Sequence, residues 1–422
     1  MATSQSPTEP TQIDHLSSLP DALLVTILSL LPTRVAARTS VLSRRFQHLW
    51  KASPVIELFI NDANMRFEAM TKSVILSREP SNSLLSLRLF MSPAVSGVPR
   101  SFISTLLTHT HSLGLRHLNL VDNTNITQSI VRTVFSISSL QSLKICSPDT
   151  FSKITLPSAT PLIHLRSLTI KNRVSSAQVE QLLLELCRLD HLQLHHLVHL
   201  TAATVNLSSL TVKKLEVFAF SPRFERGNCH VGLFMPSLEF LNLGKRYNGP
   251  VPYIHGDVPL LRKSIITLDC LYPGHVPAVA QLLNCISHVE ELSLNFKERS
   301  AYPFCNLLEP GKEAPDFPNL KHLDVLMCFH KYNYEAVVSL LRRSPALQSL
   351  KVFYKNAEEF TLWTGKRKMN DWRSSNYRHV YFNDLHLKEN NEEFMKLLNK
   401  SSTSSSRSTP KKLKVEDILK LY

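Results

Sequence analysis

Hydrophobic positions along this chain follow two different periods. From Ala22 to Leu31 the apolar residues Leu23, Leu24, Ile27, Leu28 and Leu31 recur at helical spacing, which predicts a short helix with an apolar face. Pro20-Asp21 stands just ahead of it and Pro32 ends it. Proline suits a first helical turn, because the amide it lacks would be unpaired there. Thr33 can cap a short second helix. Val41, Leu42, Phe46, Leu49 and Trp50 mark a third, from Ser40 to Trp50. Three short helices in about 40 residues bury little surface, so such a module leans on a partner or on the next domain.

Further along, the pattern becomes L-x-x-L-x-L. It is written as Leu115-Leu118-Leu120, Leu140-Leu143-Ile145, Leu165-Leu168-Ile170, Leu189-Leu192-Leu194 and Val212-Leu215-Val217. It continues as Leu238-Leu241-Leu243, Ile265-Leu268-Cys270, Val289-Leu292-Leu294, Leu320-Leu323-Val325 and Leu347-Leu350-Val352. The first positions stand 23 to 31 residues apart. Leu84-Leu87-Leu89 reads as an earlier copy and His379–Phe382 as a degenerate last strand. Helical stripes lie between strands at Val179–Leu186, Val276–Ile286, Ala336–Leu341 and Phe394–Leu398, whereas Asn206–Leu215 and Ala219–Pro236 read as loops or turns. One strand plus one connecting segment per repeat is the leucine-rich-repeat unit, in which stacking builds a continuous core. The expected fold class is α/β: a three-helix module, then a solenoid with a curved parallel sheet and helices and loops on the convex side.

Composition narrows the function. The chain has 422 residues, with 48 Lys+Arg against 34 Asp+Glu for a net charge of +14. The excess is spread out and forms no dense basic arm, so nucleic acid is not the expected partner. No apolar run approaches about 18 residues, so no membrane span is predicted, and the first thirty residues show no secretory signal. The seven cysteines are scattered and never in CxxC, which reads as free thiols in a reducing compartment, nucleus and/or cytoplasm. With 10 glycines there is no phosphate loop, and the nucleophile, zinc-protease and dinucleotide motifs are missing. His191, His195, His196 and His199 invite a metal, but no Cys or carboxylate accompanies them at ligand spacing. They are expected as surface or contact residues, and the protein as a non-enzyme.

The N-terminal module carries the sharpest information. The string Asp14 to Thr33 contains LPDALLVTILSLLPT, and Arg38 to Trp50 reads RTSVLSRRFQHLW. These strings resemble the two halves of a plant F-box, with Phe46 where Trp is usual and Ala22 where Glu is usual. With the repeats, the chain resembles the plant F-box/leucine-rich-repeat proteins, including members that end in an FBD domain. The resemblance implies a layout: residues 1–13 a disordered leader, 14–54 the F-box, 55–376 the solenoid, 377–400 a loosely FBD-like cap and 401–422 a flexible basic tail. It also implies a role as the substrate-recognition subunit of a Skp-cullin-F-box ubiquitin ligase. The adaptor-binding set carried over is Leu19, Pro20, Leu23, Leu24, Ile27, Val41, Leu42 and Trp50, while Leu28 and Leu49 are expected in the F-box core.

The repeats would then receive the substrate protein. In L-x-x-L-x-L the leucines face the core and the residues between them face outward. Candidate substrate-binding residues on the concave face are Lys144, Lys171, His191, Gln193, His195, Phe218 and Phe353. A mixed surface with aromatic anchors suits a protein partner better than a phosphate backbone. The first alternative is a repeat scaffold that never enters a ligase. The second is a small-ligand receptor, in which an inositol-phosphate-like anion would need several cations converging; Lys144, Lys171 and Lys214 stand in that column. No resident cofactor is expected.

Overall fold

The computed structural model describes residues 15–60, 71–78, 83–91, 100–122, 126–147, 153–199, 204–222, 230–244, 251–297, 314–328 and 343–355, with 307 and 340, and without 17, 77, 158, 252, 270 and 272. The leader, the strand expected at His379–Phe382, the 377–400 cap, the tail and most of Ala336–Leu341 lie outside the described residues. The chain divides into two compact units, Met1–Thr124 and Asn125–Tyr422.

The first unit opens with α1 (Asp21–Ser29), whose Leu24 and Leu28 are buried, and α2 (Thr33–Arg38). Both start directly after a proline, Pro20 and Pro32. Thr33 does not cap α2 with its side chain, as expected from its position. It is the first helical residue, and its buried hydroxyl accepts the Glu57 amide at 2.7 Å. That bond ties the helices to β1 (Val55–Ile60).

The helix expected from Ser40 to Trp50 is broken into a 3-10 turn at Thr39–Val41, α3 (Phe46–Leu49) and a second 3-10 turn at Trp50–Ala52. The hydroxyls of Thr39 and Ser40 bond back to the carbonyls of Ala36 and Ala37, and Ser43 Oγ accepts the Phe46 amide at 3.4 Å. Short hydroxyl side chains compete for the backbone groups a continuous helix would pair. Arg45 holds the segment onto the start of the module, with Nε donating to Asp21 at 2.6 Å and the guanidinium also reaching the Leu19 carbonyl.

β1 pairs in parallel with β2 (Ser86–Met91), which pairs with β3 (His117–Asp122); α4 (Arg100–Ser112) connects the last two. Leu84, Leu87 and Leu89 are all buried, as an earlier repeat copy requires. Ile56 and Leu58 stand opposite Leu87 and Leu89 and are equally buried. They form one further copy that the leucine pattern did not reveal, since Ser53 occupies its first position.

The second unit runs α5 (Gln128–Phe135), β4 (Ser142–Cys146), β5 (Lys153–Ile154), β6 (Ser167–Ser175), α6 (Ser176–Glu185) and β7 (His191–His199). It continues with β8 (Thr204–Ser208), β9 (Lys214–Val217), β10 (Phe220–Pro222), β11 (His230–Phe234), β12 (Phe240–Gly244) and β13 (Tyr253–Asp257). It closes with β14 (Lys263–Asp269), α7 (Val276–Cys285), β15 (Glu291–Lys297), β16 (His322–Cys328) and β17 (Ser349–Lys355). The parallel sheet follows the order β4-β6-β7-β9-β12-β14-β15-β16-β17, with β5 beside β6 and β10 beside β7. This is the sheet of a leucine-rich-repeat solenoid. Its buried face is the column of repeat leucines: Leu168, Leu192, Leu215, Leu241, Leu292 and Leu323. The apolar stripes of α5, α6 and α7 are buried as well.

Two expectations change here. The seventh repeat copy is not Ile265-Leu268-Cys270. Leu241 and Leu292 both stand opposite Ser264, and Leu243 and Leu294 opposite Ile266, so the copy is Leu261-Ser264-Ile266. Ser264 takes a leucine position, fully buried with its hydroxyl unpartnered, which hid the register from a search for apolar residues. Asn206–Leu215 and Ala219–Pro236 are not merely loops. They contribute β8 and β11, which with β13 form a second parallel sheet, β13-β11-β8. Gly256 in β13 has φ +143, and a Cβ there would lie 1.9 Å from the Leu233 carbonyl oxygen of β11. Only glycine fits so close a strand pair.

Candidate functional site

The helical module leaves much of its apolar surface uncovered. Val41 is 87% and Leu42 62% exposed, with Leu23 and Ile27 also exposed, Pro20 exposed and Leu19 half-buried. Leu24 and Trp50 were expected in the same docking set and are instead core, 1% and 8% exposed. Nine-residue α1 turns only Leu24 and Leu28 inward, and Trp50 packs with Phe46 and Leu49 among the buried residues of the module. Leu28 and Leu49 are buried, where the core was expected. The structure adds Leu30 (81% exposed), Leu31 and Val35 to the uncovered set. The signal for these was in the sequence: Leu30 and Leu31 end the apolar run that stops at Pro32, and Val35 is the one large apolar residue of α2. An apolar surface concentrated in one small module marks an interaction site.

On the repeat sheet, residues alternating with the leucines form solvent-side rows. One row reads Ser142, Ser167, His191, Lys214, Phe240, Lys263, Glu291, His322 and Ser349; the next reads Lys144, Thr169, Gln193, Glu216, Asn242, Ile265, Ser293, Asp324 and Lys351. Glu216 gathers the bonds at the middle of these rows. His191 Nε2 lies 3.0 Å from one carboxylate oxygen and Lys214 Nζ 2.9 Å, while Asn242 Nδ2 donates to the other at 3.2 Å. Burial works against the Glu216 charge, but the hydrogen bonds from His191 and Lys214, the Lys214 charge and the Asn242 amide hold its pKa down at about 2. Lys214 also stands over the Phe240 ring, 4.9 Å from its centroid, a favourable cation–π geometry.

Most of the expected substrate-face residues come together. Lys144, Lys171, His191, Gln193, His195 and Phe218 are all half-buried on β4, β6 and β7 or just after β9. Thr169 Oγ1 donates to Gln193 Oε1 at 3.3 Å, and the His195 and Phe218 rings meet at 4.9 Å. Phe353 does not join them: it lies on β17, opposite Leu326 and five strands beyond β9. Glu216, which joins three side chains of the solvent-side rows, was not among the expected site residues. Its neighbours His191, Lys214 and Asn242 come from three different repeats, so chain spacing alone does not single it out. Among the described residues no three or more His, Cys, Asp or Glu gather as a metal set, and His191 is engaged by Glu216.

Comparison with known proteins agrees with this arrangement. Residues 16–57 match the F-box domain model. A putative F-box/FBD/LRR-repeat protein of Arabidopsis thaliana is 30% identical over 54% of this chain and 53% of its own length. An FBD-associated F-box protein of the same plant is 26% identical over 81% of this chain and 78% of its own length. A putative F-box protein, also from Arabidopsis thaliana, is 59% identical over 44 residues, 10% of this chain and 37% of its own length. The chain thus spans about half the length of the first of these relatives. F-box domains in general bind Skp-type adaptors, and proteins that join an F-box to leucine-rich repeats are in general adaptors without catalysis.

Proposed function

We infer that this chain, a member of the plant F-box/leucine-rich-repeat family, is the substrate-recognition subunit of a Skp-cullin-F-box ubiquitin ligase. Its F-box would dock the Skp-type adaptor and through it a cullin. The repeat sheet would hold the substrate protein, and the transfer chemistry would belong to other subunits. The observation that carries the reading is the cluster Leu23, Ile27, Leu30, Val35, Val41 and Leu42, apolar and uncovered within the segment that matches the F-box model. Interfaces of this kind draw most of their energy from a few apolar anchors that lose their water on docking. Val41, the most exposed of the set, and its neighbour Leu42, at the Thr39–Val41 turn, are the anchors we assign first. We propose the nucleus and/or cytoplasm as the site of action, which suits Cys146 and Cys187, neither of them in a disulfide.

The test is capture of a purified Skp-type adaptor by the full chain. Val41→Asp/Leu42→Asp should weaken capture by about tenfold or more, since a charge would replace each buried anchor, while the thermal midpoint stays that of the parent. Leu28→Ala makes the contrast: it should cost about 2–5 kcal/mol of stability through a core cavity. A parent chain that fails to capture the adaptor would sink the ligase reading and leave a repeat scaffold with an unused F-box.

A further inference from the structure

Charge on the solvent-side face is segregated. From β9 onward four lysines have acids beside them: Lys213 with Glu239 at 4.0 Å, Lys214 with Glu216 at 2.9 Å, Lys263 with Glu291 at 2.7 Å and Lys321 with Glu290 at 2.9 Å. On β4, β5 and β6 the pattern is different. Lys144 stands opposite Thr169, Lys171 opposite Cys146, and Arg173 opposite Lys153. The β6 register against β7 shifts between Ile170 and Arg173, and Arg173 stands opposite His196. None of Lys144, Lys171 and Arg173 makes an ion pair among the described residues, and the solvent-side positions of β4 and β6 contain no acid. Cys146 lies among them: burial raises its thiol pKa, and the charges of Lys144 and Lys171 both pull it back.

Like charges on neighbouring strands destabilise a sheet. Cations left without acids also project their field outward instead of cancelling it locally. Resting on the reading of the repeat sheet as a substrate receptor, we propose that the face of β4, β5 and β6 binds a carboxylate-rich segment of the substrate protein in extended conformation. Lys144 and Lys171 are diagonal neighbours on adjacent strands, about 7–8 Å apart, close to the interval of about 7 Å between every second side chain of an extended peptide. A compact anion would instead call for cations converging on one point. The flank toward β7 fits a peptide too, with the Thr169–Gln193 pair for polar contacts and the His195–Phe218 ring pair for an apolar side chain. Charge of this kind raises the association rate and selects partners more than it adds raw affinity.

The experiment selects peptides of about twelve residues from a random displayed library with the full chain held by its F-box on an immobilised Skp-type adaptor, and in parallel with the full chain immobilised directly. The parent should enrich Asp and Glu by about threefold or more over the unselected library. Lys144→Glu/Lys171→Glu should lose that enrichment with an unchanged thermal midpoint, and Lys351→Glu, on β17 opposite Asp324, should keep it. No enrichment, enrichment without charge bias, or a bias that survives the double reversal would overturn the proposal. Inositol hexakisphosphate bound through Lys144 and Lys171, with no acidic peptide selected, would overturn it in favour of a small anion. Failure to load on the adaptor while the directly held chain still selects acidic peptides strikes the ligase reading and leaves this one standing.

Discussion

Glu216 shows how a single charge can organise a repeat surface. It is 10% exposed at its side chain and takes bonds from His191, Lys214 and Asn242, residues of three successive repeats. Removing the carboxylate leaves three donors facing a site built for an acceptor. Glu216→Gln should therefore lower stability by about 1–2 kcal/mol at neutral pH, read from urea unfolding. The pH dependence follows from the direction of its shift. With a folded pKa of about 2 against an ordinary 4.5, the network contributes stability that is fully present above about 4.5 and is lost as pH falls toward 2. The parent should lose more of its unfolding midpoint than Glu216→Gln does between about pH 6 and pH 2; parallel curves would deny Glu216 this role.

Among the elements, the second sheet is the one whose geometry is most constrained. β11 is held between β8 and β13, and the β13 contact depends on Gly256, where any Cβ would meet the Leu233 carbonyl. Gly256→Ala should cost more than the roughly 1 kcal/mol that separates these residues in an ordinary position, because φ and space are both wrong for alanine. Faster amide exchange in Tyr253–Asp257 and His230–Phe234 is the expected readout. Unchanged exchange there would mean the strands can separate without loss. The helices follow a similar logic. α1 and α2 were visible from their flanking prolines and apolar spacing, whereas the third predicted helix was not continuous. Its apolar spacing is helical, yet Thr39, Ser40 and Ser43 direct their hydroxyls to the backbone. Apolar period reports which side is buried, and the hydroxyls decide whether the ladder is unbroken.

At the scale of the whole molecule, the repeats of each unit cover their neighbours, so a defect should be felt locally. Leu294, fully buried on β15 between β14 and β16, provides the test. Leu294→Ala should cost about 2–5 kcal/mol and accelerate amide exchange in β14, β15 and β16, while α1 and α2 exchange as in the parent. Uniform acceleration throughout the chain would show that the array unfolds as one cooperative body. The net charge of +14 likewise matters through its placement, since four lysines from β9 onward are matched by acids and, among the described residues, those on β4 and β6 are not.

The leucine periodicity was enough to establish the repeat fold and most strands of its main sheet, because burying a column of side chains every second residue leaves a direct trace in the order of residues. The two F-box strings likewise identified the module from local residues. Three features depended on folding. The register at Ser264 was set by the flanking strands, since a buried serine has no apolar signature. The division of the F-box leucines into core and uncovered surface followed from how three short helices pack, with Leu24 inward and Leu23 outward on one helix. The Glu216 network arises from pairing between residues about 25 positions apart, and the grouping of Lys144 and Lys171 arises from the register of β4 against β6. Contacts between repeats are made by register, and register exists only once the strands are side by side.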